Sequence, residues 1–399
     1  MIKGIEIQMR LAVMAAVMLS SPASTALADT LTVCPDGCDF AGIQEAVQSA
    51  SPGDRVEVEA GEYEEAVVID RCLSLIAVNG SATLILPGQG SAVTITSPQV
   101  TVQNFSAQGC GDMARDAAIK VLSSQFLIQG CQIQGNYVGI YVMGGADGTI
   151  QENQVLESGG SGIVLEEASM VRVIRNTIMG CGAAGIELEA ATSCAVEANN
   201  LSENLRAGVM LHESAESALI NNSVDGSRIG LGLVGGTNNL AGGNQVAECE
   251  LGISLENETA GNLEGNRLYD NEYGINLDRC DNGTASGNYM DRSEEYGIYL
   301  NDCHQIAIEG NMVNRSGDDG IGLLNSTDCT LTSNDIVWSR YDGIRFYNAP
   351  HHIVRNNVLR GNGGYGINID PGSQGVLLEG NQFENNSRGE VLLESAEPK

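Results

Sequence analysis

The residues best suited to acid–base chemistry lie in the last quarter of the sequence. Asp319 and Asp342 each stand directly before a glycine, in equivalent positions of a repeated pattern. Asp318, Arg345 and His351 stand close to them. Two adjacent carboxyl groups can act as general acid and base at a glycosidic bond, or can hold calcium against a uronate while an arginine abstracts a proton. These five residues form the candidate catalytic group.

Tyrosines accompany the candidate catalytic group. Aromatic ring faces are good platforms for sugar rings, because each ring offers a flat apolar surface with a polar end. The candidate carbohydrate-binding residues are Tyr296, Tyr299, Tyr341, Tyr347 and Tyr365. The expected partner is therefore an extracellular polysaccharide or glycan.

A row of acidic residues stands four positions after several of the repeated glycines. Carboxylate oxygens are the ligands that calcium prefers. The candidate calcium ligands are Glu166, Glu189, Glu256 and Asp278. The row is interrupted by His212, Val234 and Leu324, so a solvated acidic surface is the alternative interpretation.

A repeat positions all of these residues. Glycines recur 22 or 23 residues apart, at 139, 162, 185, 208, 230, 252, 274, 297, 320, 343 and 366. An apolar residue follows each glycine directly, as Ile186 follows Gly185, and another stands three positions after it. A second column is asparagine, and it comprises Asn153, Asn176, Asn199, Asn222, Asn244, Asn266, Asn288, Asn311, Asn334, Asn356 and Asn381.

The apolar residues within a unit are spaced by two, which predicts three short strands and not a helix. Strands this short gain stability when each pairs in parallel with its equivalent one coil away, about 4.8 Å along the axis. The asparagines are expected to take the left-handed backbone of a tight corner and to hydrogen-bond from coil to coil. Leucine-rich repeats share such a period, but their leucine spacing is denser. The sequence therefore predicts an all-β, right-handed parallel β-helix with three strands per coil.

The N-terminal residues have the layout of a secretory signal peptide. Lys3 and Arg10 precede the apolar run Leu11–Leu19, and Ala26-Leu27-Ala28 follows as a cleavage site. The expected organisation is a signal peptide at 1–28, a cap segment at 29–62 and the β-helix at 63–395. We expect an exported protein, extracellular, periplasmic or on the cell surface, with no transmembrane segment in the mature chain.

The acidic composition of the chain limits the classes of macromolecule that it is expected to bind. The chain carries 51 acidic and 20 basic residues, for a formal net charge of −31. Such a surface repels nucleic acid and anionic lipid, so neither is an expected partner. Several Asn-X-Ser/Thr triplets, among them those at Asn314 and Asn385, are candidate glycosylation sites.

The eleven cysteines do not have the spacing of a disulfide framework. Cys280 and Cys303 occupy one column of the repeat and are expected to be neighbours on adjacent coils. A disulfide, a metal site with His304 and two inert thiols are the alternatives for this pair.

The segment before the first regular coils predicts a cap. Phe40, Ile43, Ala46 and Val47 have helical spacing, Arg55–Val58 alternates as a strand, and Gly61–Tyr63 is expected to be a turn. A short amphipathic helix here would cover the open end of the solenoid.

This segment, with the repeated Gly-Ile-X-Leu and Asn-X-apolar units, resembles the N-terminal region of pectin-active and NosD-like right-handed β-helix proteins. The resemblance covers nearly all of the expected mature chain. It implies the broad group of carbohydrate-binding and sugar-processing β-helices.

The resemblance does not extend to a complete catalytic motif. Ser316–Ile321 resembles the double-aspartate motif of polygalacturonases. However, the Asn-Thr-Asp, Gly-His-Gly and Arg-X-Lys motifs of those enzymes are missing from the sequence, as is the Asp-Pro-His-Asp motif of mannuronan epimerases. The favoured hypothesis is therefore a carbohydrate-binding β-helix protein.

Two alternatives stay open. One is a polysaccharide lyase, hydrolase or epimerase acting on uronate polymers through the Asp/Arg group. The other is a NosD-like periplasmic accessory factor for a copper protein. Copper favours clustered histidine, methionine or cysteine ligands, and the sequence contains four histidines, namely His212, His304, His351 and His352.

Overall fold

Each repeat forms one coil of a solenoid in the computed structural model, which describes residues 28–78, 82–85, 89–111, 113 and 115–394. A coil contributes one short strand to each of three parallel sheets, named sheet A, sheet B and sheet C in the order in which the chain visits them. In the described ranges, the sheets have 16, 15 and 15 strands. The predicted right-handed parallel β-helix is confirmed.

The strands of sheet A are Thr30–Val33, Arg55–Val58, Ser74–Ala77, Val100–Gln103, Phe126–Gln129, Thr149–Gln151, Arg172–Ile174, Ala195–Glu197, Ala218–Ile220, Leu240–Gly242, Asn262–Glu264, Thr284–Ser286, Ala307–Glu309, Thr330–Thr332, Ile353–Arg355 and Leu377–Glu379. The strands of sheet B are Gly61–Tyr63, Ala82–Ile85, Phe105–Gln108, Gln132–Gln134, Gln154–Leu156, Thr177–Met179, Asn200–Ser202, Ser223–Asp225, Gln245–Ala247, Arg267–Tyr269, Tyr289–Asp291, Met312–Asn314, Asp335–Val337, Val358–Arg360 and Gln382–Glu384. The strands of sheet C are Val67–Ile69, Val93–Ile95, Ala117–Val121, Val138–Met143, Ile163–Glu166, Ala184–Glu189, Ala207–His212, Ile229–Val234, Leu251–Glu256, Tyr273–Asp278, Ile298–Asn301, Ile321–Leu324, Ile344–Tyr347, Tyr365–Ile369 and Gly389–Leu393.

The core runs along the axis of the solenoid. Ile186 pairs with Val209, which pairs with Leu231, and all three side chains are fully buried. Burying a side chain of this size stabilises the fold by roughly 1.5–3 kcal/mol. The glycines of the repeat pack tightly, since a Cβ on Gly208 would come within 2.8 Å of the Gly230 carbonyl oxygen. The predicted stacking of equivalent residues is therefore confirmed.

A ladder of buried asparagines joins sheet A to sheet B in successive coils. The backbone N–H and the side-chain amide of Asn222 both donate to Oδ1 of Asn244, at 2.9 and 3.0 Å. Asn244 repeats both bonds to Asn266, so the ladder satisfies buried polar groups that strands alone leave unpaired.

Two details of the predicted asparagine column were wrong. Asn357, not Asn356, continues the ladder, because the backbone N–H of Asn334 donates to Oδ1 of Asn357 at 2.9 Å. The left-handed residue of this corner is the one before the ladder asparagine, as at Ala198 (φ 53°) and Asn356 (φ 55°). The ladder position instead requires a side-chain amide whose oxygen accepts hydrogen bonds and whose nitrogen donates them, as Asn244 does.

The helix Ile43–Ser49 covers the N-terminal end of the solenoid, as the sequence predicted. Ile43 and two further side chains of this helix are buried. The Glu65 carboxylate accepts the backbone N–H groups of Ile43 and Gln44, at 2.7 and 3.0 Å, and so caps the helix. Phe40 lies before the helix, in a bridge to Val33.

The predicted turn at Gly61–Tyr63 was wrong, because these residues form the first strand of sheet B. Its partner strand is Ala82–Ile85. The predicted signal peptide falls almost wholly on residues 1–27, which lie outside the described residues. Within the described ranges, no helix has the length and apolar character that crossing a membrane requires.

The cysteines are mainly core residues. Cys34 and Cys38 form a disulfide that the sequence analysis did not anticipate. Cys280 and Cys303 are neighbours on adjacent coils, as predicted, and both are free and buried. The backbone N–H of Cys280 points at Sγ of Cys303, 3.5 Å away.

Candidate functional site

Asp319, Asp342 and Arg345 of the candidate catalytic group lie on or next to the outer face of sheet C, together with most of the candidate tyrosines. Tyr299, Gly322, Arg345 and Asn368 are paired in register on four consecutive strands, so they form one outward column. Asp319 and Asp342 are each separated by one glycine from the strands that contain Gly322 and Arg345. The repeat therefore brings together residues from four coils.

The two aspartates are consecutive links in a coil-to-coil chain of hydrogen bonds. Oδ1 of Asp319 accepts the backbone N–H of Asp342 at 2.7 Å, and Oδ1 of Asp342 accepts the backbone N–H of Tyr365 at 2.6 Å. Ser161 plays the same part in an earlier coil, where its hydroxyl accepts the backbone N–H of Ala184. Both aspartates are nearly inaccessible to solvent. One carboxylate oxygen of each is thus committed to the backbone.

The second oxygens of the aspartates differ in their partners. Oδ2 of Asp342 accepts a 2.7 Å hydrogen bond from the Asn368 amide and lies 3.6 Å from the Arg345 guanidinium. Oδ2 of Asp319 has only a long contact with the Tyr347 hydroxyl, at 3.5 Å. Among the four carboxylate oxygens of the pair, Asp319 Oδ2 is therefore the one with spare accepting capacity.

Burial controls the protonation of these carboxyl groups. Burial raises the pKa of the Asp319 carboxyl to about 7, and the charges of Asp342 and Asp318 add to the effect. Burial also raises the pKa of Asp342, although the Tyr365 backbone N–H and Arg345 oppose the shift. Asp319 is therefore a carboxyl group that changes protonation near neutral pH.

Arg345 is held firmly at this end of the face. Its side chain is 15% exposed and forms a 3.0 Å ion pair with Glu394. Its guanidinium lies over the Tyr347 ring, 4.7 Å from the centroid, and its Nε is buried without a hydrogen-bond partner. Arg345 is neutralised by acids on both sides, so it supplies planar hydrogen-bonding capacity more than net positive charge.

Three tyrosine rings form a cluster beside the aspartates. Tyr296 and Tyr299 have centroids 4.9 Å apart, and Tyr273 stacks on Tyr296 at 6.0 Å. A Cβ on Gly322 would come within 2.7 Å of the Tyr296 ring and 3.3 Å of the Tyr299 ring. Because Gly322 has no side chain, the Tyr296 and Tyr299 rings can occupy the space above it, next to the strand that contains Arg345.

The sequence analysis missed four members of this site. Tyr273, Gly322, Asn368 and Glu394 all touch the predicted residues. Tyr273 stands one repeat before Tyr296, and that spacing could have identified it. Glu394 is brought to Arg345 by the last strand of sheet C, and no sequence pattern near Arg345 signals this contact.

Other predicted residues do not join the cluster. Tyr341 is 46% exposed in the turn before Asp342, where the Arg340 guanidinium lies 5.4 Å from its ring. Tyr365 contributes its backbone N–H to Asp342. His351 is exposed in the turn beyond the far end of the strand Ile344–Tyr347, with no contact to either aspartate among the described residues.

The neighbouring His352 is a buried residue that is hydrogen-bonded to the backbone of two other turns. Its Nδ1 accepts the backbone N–H of Cys329 and its Nε2 donates to the Ser326 carbonyl, both at 3.1 Å. Burial lowers the pKa of His352 to about 4, which keeps the ring neutral. Both ring nitrogens are therefore occupied within the core.

The candidate calcium ligands lie in one row on sheet C. Glu189 is paired in register with His212, and the other three acids form ion pairs with arginines. Glu166 pairs with Glu189 in register and also binds Arg115 at 2.7 Å. Glu256 and Asp278 share Arg279 on a later coil. Within the described residues, no three His, Cys, Asp or Glu side chains form a group arranged to hold a metal ion.

Two family models match the chain. Residues 228–392 match NosD, described as a periplasmic copper-binding protein, and residues 76–224 match the right handed beta helix region. Copper would require soft or imidazole ligands near one another. The donor set does not fit this requirement. His352 uses both nitrogens inside the core, and the neighbouring thiols of Cys280 and Cys303 belong to no group of three His, Cys, Asp or Glu side chains that could hold a metal ion among the described residues.

Solved structures resemble the fold at low sequence identity. XylC in complex with xylose has a TM-score of 0.59 at 10% identity, over 89% of this chain and 86% of that one. DFA-IIIase from Arthrobacter chlorophenolicus A6 has a TM-score of 0.56 at 14% identity, over 76% and 94%. A PL6 alginate lyase in complex with a trisaccharide has a TM-score of 0.54 at 12% identity, over 78% and 86%.

A search of curated proteins gives no significant match. The solved structures agree with the coil geometry, and the two family models together extend from residue 76 to residue 392. The chain is therefore a right-handed parallel β-helix protein, in which residues 76–224 are similar to the right handed beta helix region and residues 228–392 are similar to NosD.

Proposed function

We propose that this protein binds carbohydrate outside the cytoplasm, on the outer face of sheet C. The observation that carries the proposal is the cluster of Tyr273, Tyr296 and Tyr299, which ends at Gly322 directly beside Arg345. Aromatic rings next to fixed polar groups suit sugars, because sugar rings have apolar faces and hydroxyl edges.

The hydrogen-bonding pattern favours binding over turnover. Acid–base cleavage of a glycosidic bond uses two carboxyl groups that reach the substrate. Here Asp342 is fully engaged by Tyr365, Asn368 and Arg345, and Asp319 keeps one oxygen available. Both carboxyl groups are also nearly inaccessible to solvent, so the pair is poorly placed to divide acid and base roles at a substrate.

Charge suggests which sugars bind. The acids Asp342 and Glu394 neutralise Arg345, and the chain as a whole carries a net charge of −31. An acidic surface repels polyanions. Neutral glycans are therefore the preferred ligands, and uronate polymers would need a cation such as calcium to bridge the charges.

Location outside the cytoplasm rests on two supports. The N-terminal sequence has the pattern of a signal peptide. The family matched by the C-terminal coils is described as periplasmic. Periplasm and cell surface both give access to extracellular glycans.

A glycan array tests the proposal. We expect saturable binding to neutral glycans without release of products. Tyr299→Ala should weaken that binding at least about tenfold, as expected for loss of an aromatic anchor. Tyr137→Ala, which removes an exposed tyrosine on an early coil, is the matched control and should bind like the unmodified protein. Equal binding by Tyr299→Ala would contradict the proposal.

One observation favours an enzyme as the second candidate. A carboxyl group with a pKa of about 7, such as Asp319, beside a second carboxyl group is suited to general acid catalysis. The test is product release from alginate and polygalacturonate, with and without calcium. Turnover that is lost in both Asp319→Asn and Asp342→Asn would establish this candidate in place of simple binding.

The copper accessory role rests on the family description alone. Retention of copper by the purified protein after dialysis against a chelator would support that role. We expect no retained copper, since the histidines are dispersed or hydrogen-bonded within the core.

A further inference from the structure

The only tryptophan of the chain lies in a groove that the proposed glycan site does not use. Trp338 follows the strand Asp335–Val337 of sheet B, and its side chain is 63% exposed. The groove has a volume of about 320 Å³ on the outer face of sheet B. Met312, Asn314, Arg360 and Glu384 line it with Trp338.

Trp338 is unusual for its position in the coil. Its φ is 58°, in the left-handed region that bulky side chains rarely occupy. The equivalent turn position in other coils also has positive φ and holds either glycine, as at Gly226 and Gly361, or a polar residue, as at Glu203, Arg292 and Asn385. A large aromatic residue at this position costs free energy, and Trp338 leaves most of its surface exposed, so folding alone does not account for it.

The next coil fixes the indole ring. A Cβ on Gly361 would come within 2.6 Å of Cδ1 and 2.8 Å of Nε1 of Trp338. The ring therefore rests against the bare backbone of Gly361 and keeps most of its surface open to solvent. A rigid, exposed aromatic face is preorganised for an apolar sugar face.

Polar groups with unmet hydrogen-bonding capacity flank the ring. The Asn314 amide donates to Asp291 at 2.7 Å, while its Oδ1 is buried without a donor. Arg360 binds Asp335 through Nη2, at 3.0 and 2.8 Å, while its Nε is buried without an acceptor. Both atoms are shielded from solvent, so the polar contacts open to a ligand are the exposed parts of the Arg360 and Glu384 side chains, which can bond to sugar hydroxyl groups.

Register sets the length of the ligand. Asn314, Val337 and Arg360 are paired on consecutive strands, so Asn314 and Arg360 are two strand spacings apart, about 10 Å. Two linked sugar rings cover that span. Asp335 balances the charge of Arg360 and Glu384 adds a negative charge, so an anionic sugar is disfavoured.

We propose that this groove is a second carbohydrate site, which holds a neutral oligosaccharide of two or more units against Trp338. The site lies on sheet B and does not depend on the proposed site on sheet C. A solenoid with binding sites on two faces can engage two glycan chains, or two parts of one chain.

Tryptophan fluorescence tests the site directly, because with excitation at wavelengths that tyrosine does not absorb the emission comes from Trp338 alone. The protein is made in a host that adds no N-glycans, since Asn314 and Asn385 begin Asn-X-Ser triplets. It is then titrated with cellobiose, xylobiose and maltotriose, and with digalacturonate as the anionic comparison. We expect a saturable change in emission with at least one neutral sugar and a weaker change with digalacturonate.

Variants separate this site from the one on sheet C. By calorimetry in a Tyr299→Ala background, in which the proposed site on sheet C is weakened, Trp338→Ala should weaken the binding of that neutral sugar at least about tenfold, and Trp338→Phe should retain most of it. Leu205→Ala, which removes an exposed apolar side chain on an earlier coil, is the control. Tyr299→Ala should leave the emission titration unchanged. No saturable emission change with any neutral sugar, unchanged binding by Trp338→Ala, or tighter binding of digalacturonate would overturn the proposal.

Discussion

The Asp319 carboxylate accepts the backbone N–H of Asp342, with 2.7 Å between Oδ1 and N. The two residues that most resemble a catalytic pair are therefore joined through the backbone of one and the side chain of the other. This bond links two coils at the edge of the tyrosine cluster. Asp319 therefore contributes to the fold through Oδ1, while its Oδ2 has only the long contact with the Tyr347 hydroxyl.

The first prediction concerns pH and Asp319. Burial raises the pKa of this carboxyl to about 7, whereas an aspartate in an unfolded chain titrates near about 3.9. Between these values the folded state binds more protons than the unfolded state. The contribution of Asp319 to stability is therefore greatest at low pH and is lost as the pH rises through about 7.

Asp319→Asn removes this titration and keeps an oxygen for the Asp342 N–H. Its free energy of unfolding should exceed that of the unmodified protein at about pH 8, by at most about 4 kcal/mol, and the two should converge near about pH 4. Denaturant unfolding at both pH values measures the difference. Asp147→Asn, in an exposed turn, is the control. A difference that does not change with pH would refute the prediction.

The second prediction concerns the asparagine ladder. Asn244 accepts two hydrogen bonds from Asn222 and donates to Leu219 and Asn266. Asn244→Ala leaves buried donors and acceptors unpaired, and each costs about 1–3 kcal/mol. We expect a loss of about 3 kcal/mol or more in the free energy of unfolding. Thermal and denaturant unfolding measure it.

Asn238→Gly is the matched control for the ladder. Asn238 is exposed at a turn with φ 56°, where glycine is accommodated without strain. This variant should keep its stability within about 0.5 kcal/mol. Equal effects of the two substitutions would show that the ladder does not stabilise the solenoid.

The third prediction concerns thiol reactivity. Of the nine free cysteines in the described residues, eight are buried and Cys72 is half-buried. Burial raises the pKa of the Cys131 thiol to about 12, so the reactive thiolate is scarce there. A thiol reagent should label at most one site per native molecule, at Cys72, and nine after unfolding without reductant. Rapid labelling of several native thiols would contradict the structure.

Periodicity made the fold predictable. A column such as Ile186, Val209 and Leu231 identifies the buried position, because equivalent residues lie over one another in a solenoid. The same reasoning placed Asp319 beside Asp342. It failed by one residue at Asn356, because two adjacent asparagines fit the pattern equally and only the hydrogen bond from Asn334 distinguishes them.

Contacts between different columns were less predictable. The sequence offered His351 and His352 together, and only packing shows that His352 is in the core while His351 faces solvent. Trp338 attracted no interpretation from sequence, because its turn position is variable and its groove is formed by four neighbouring strands of sheet B. Repeats determine which residues share a row, whereas side-chain contacts determine what a row can bind.

The most direct test of glycan binding on sheet C uses two glycines of one outward column. A Cβ on Gly322 would come within 2.7 Å of the Tyr296 ring, and a Cβ on Gly232 would come within 2.7 Å of the Met210 side chain on an earlier coil. Both substitutions to alanine displace a flexible side chain, so their effects on stability should be similar.

Calorimetric titration of a neutral glycan identified on the array is the decisive measurement. Gly322→Ala should bind at least about fivefold more weakly than the unmodified protein, because the tyrosine rings lose their position, and Gly232→Ala should bind normally. Normal binding by Gly322→Ala, or an equal loss in both variants, would show that the tyrosine cluster beside Arg345 is not the site.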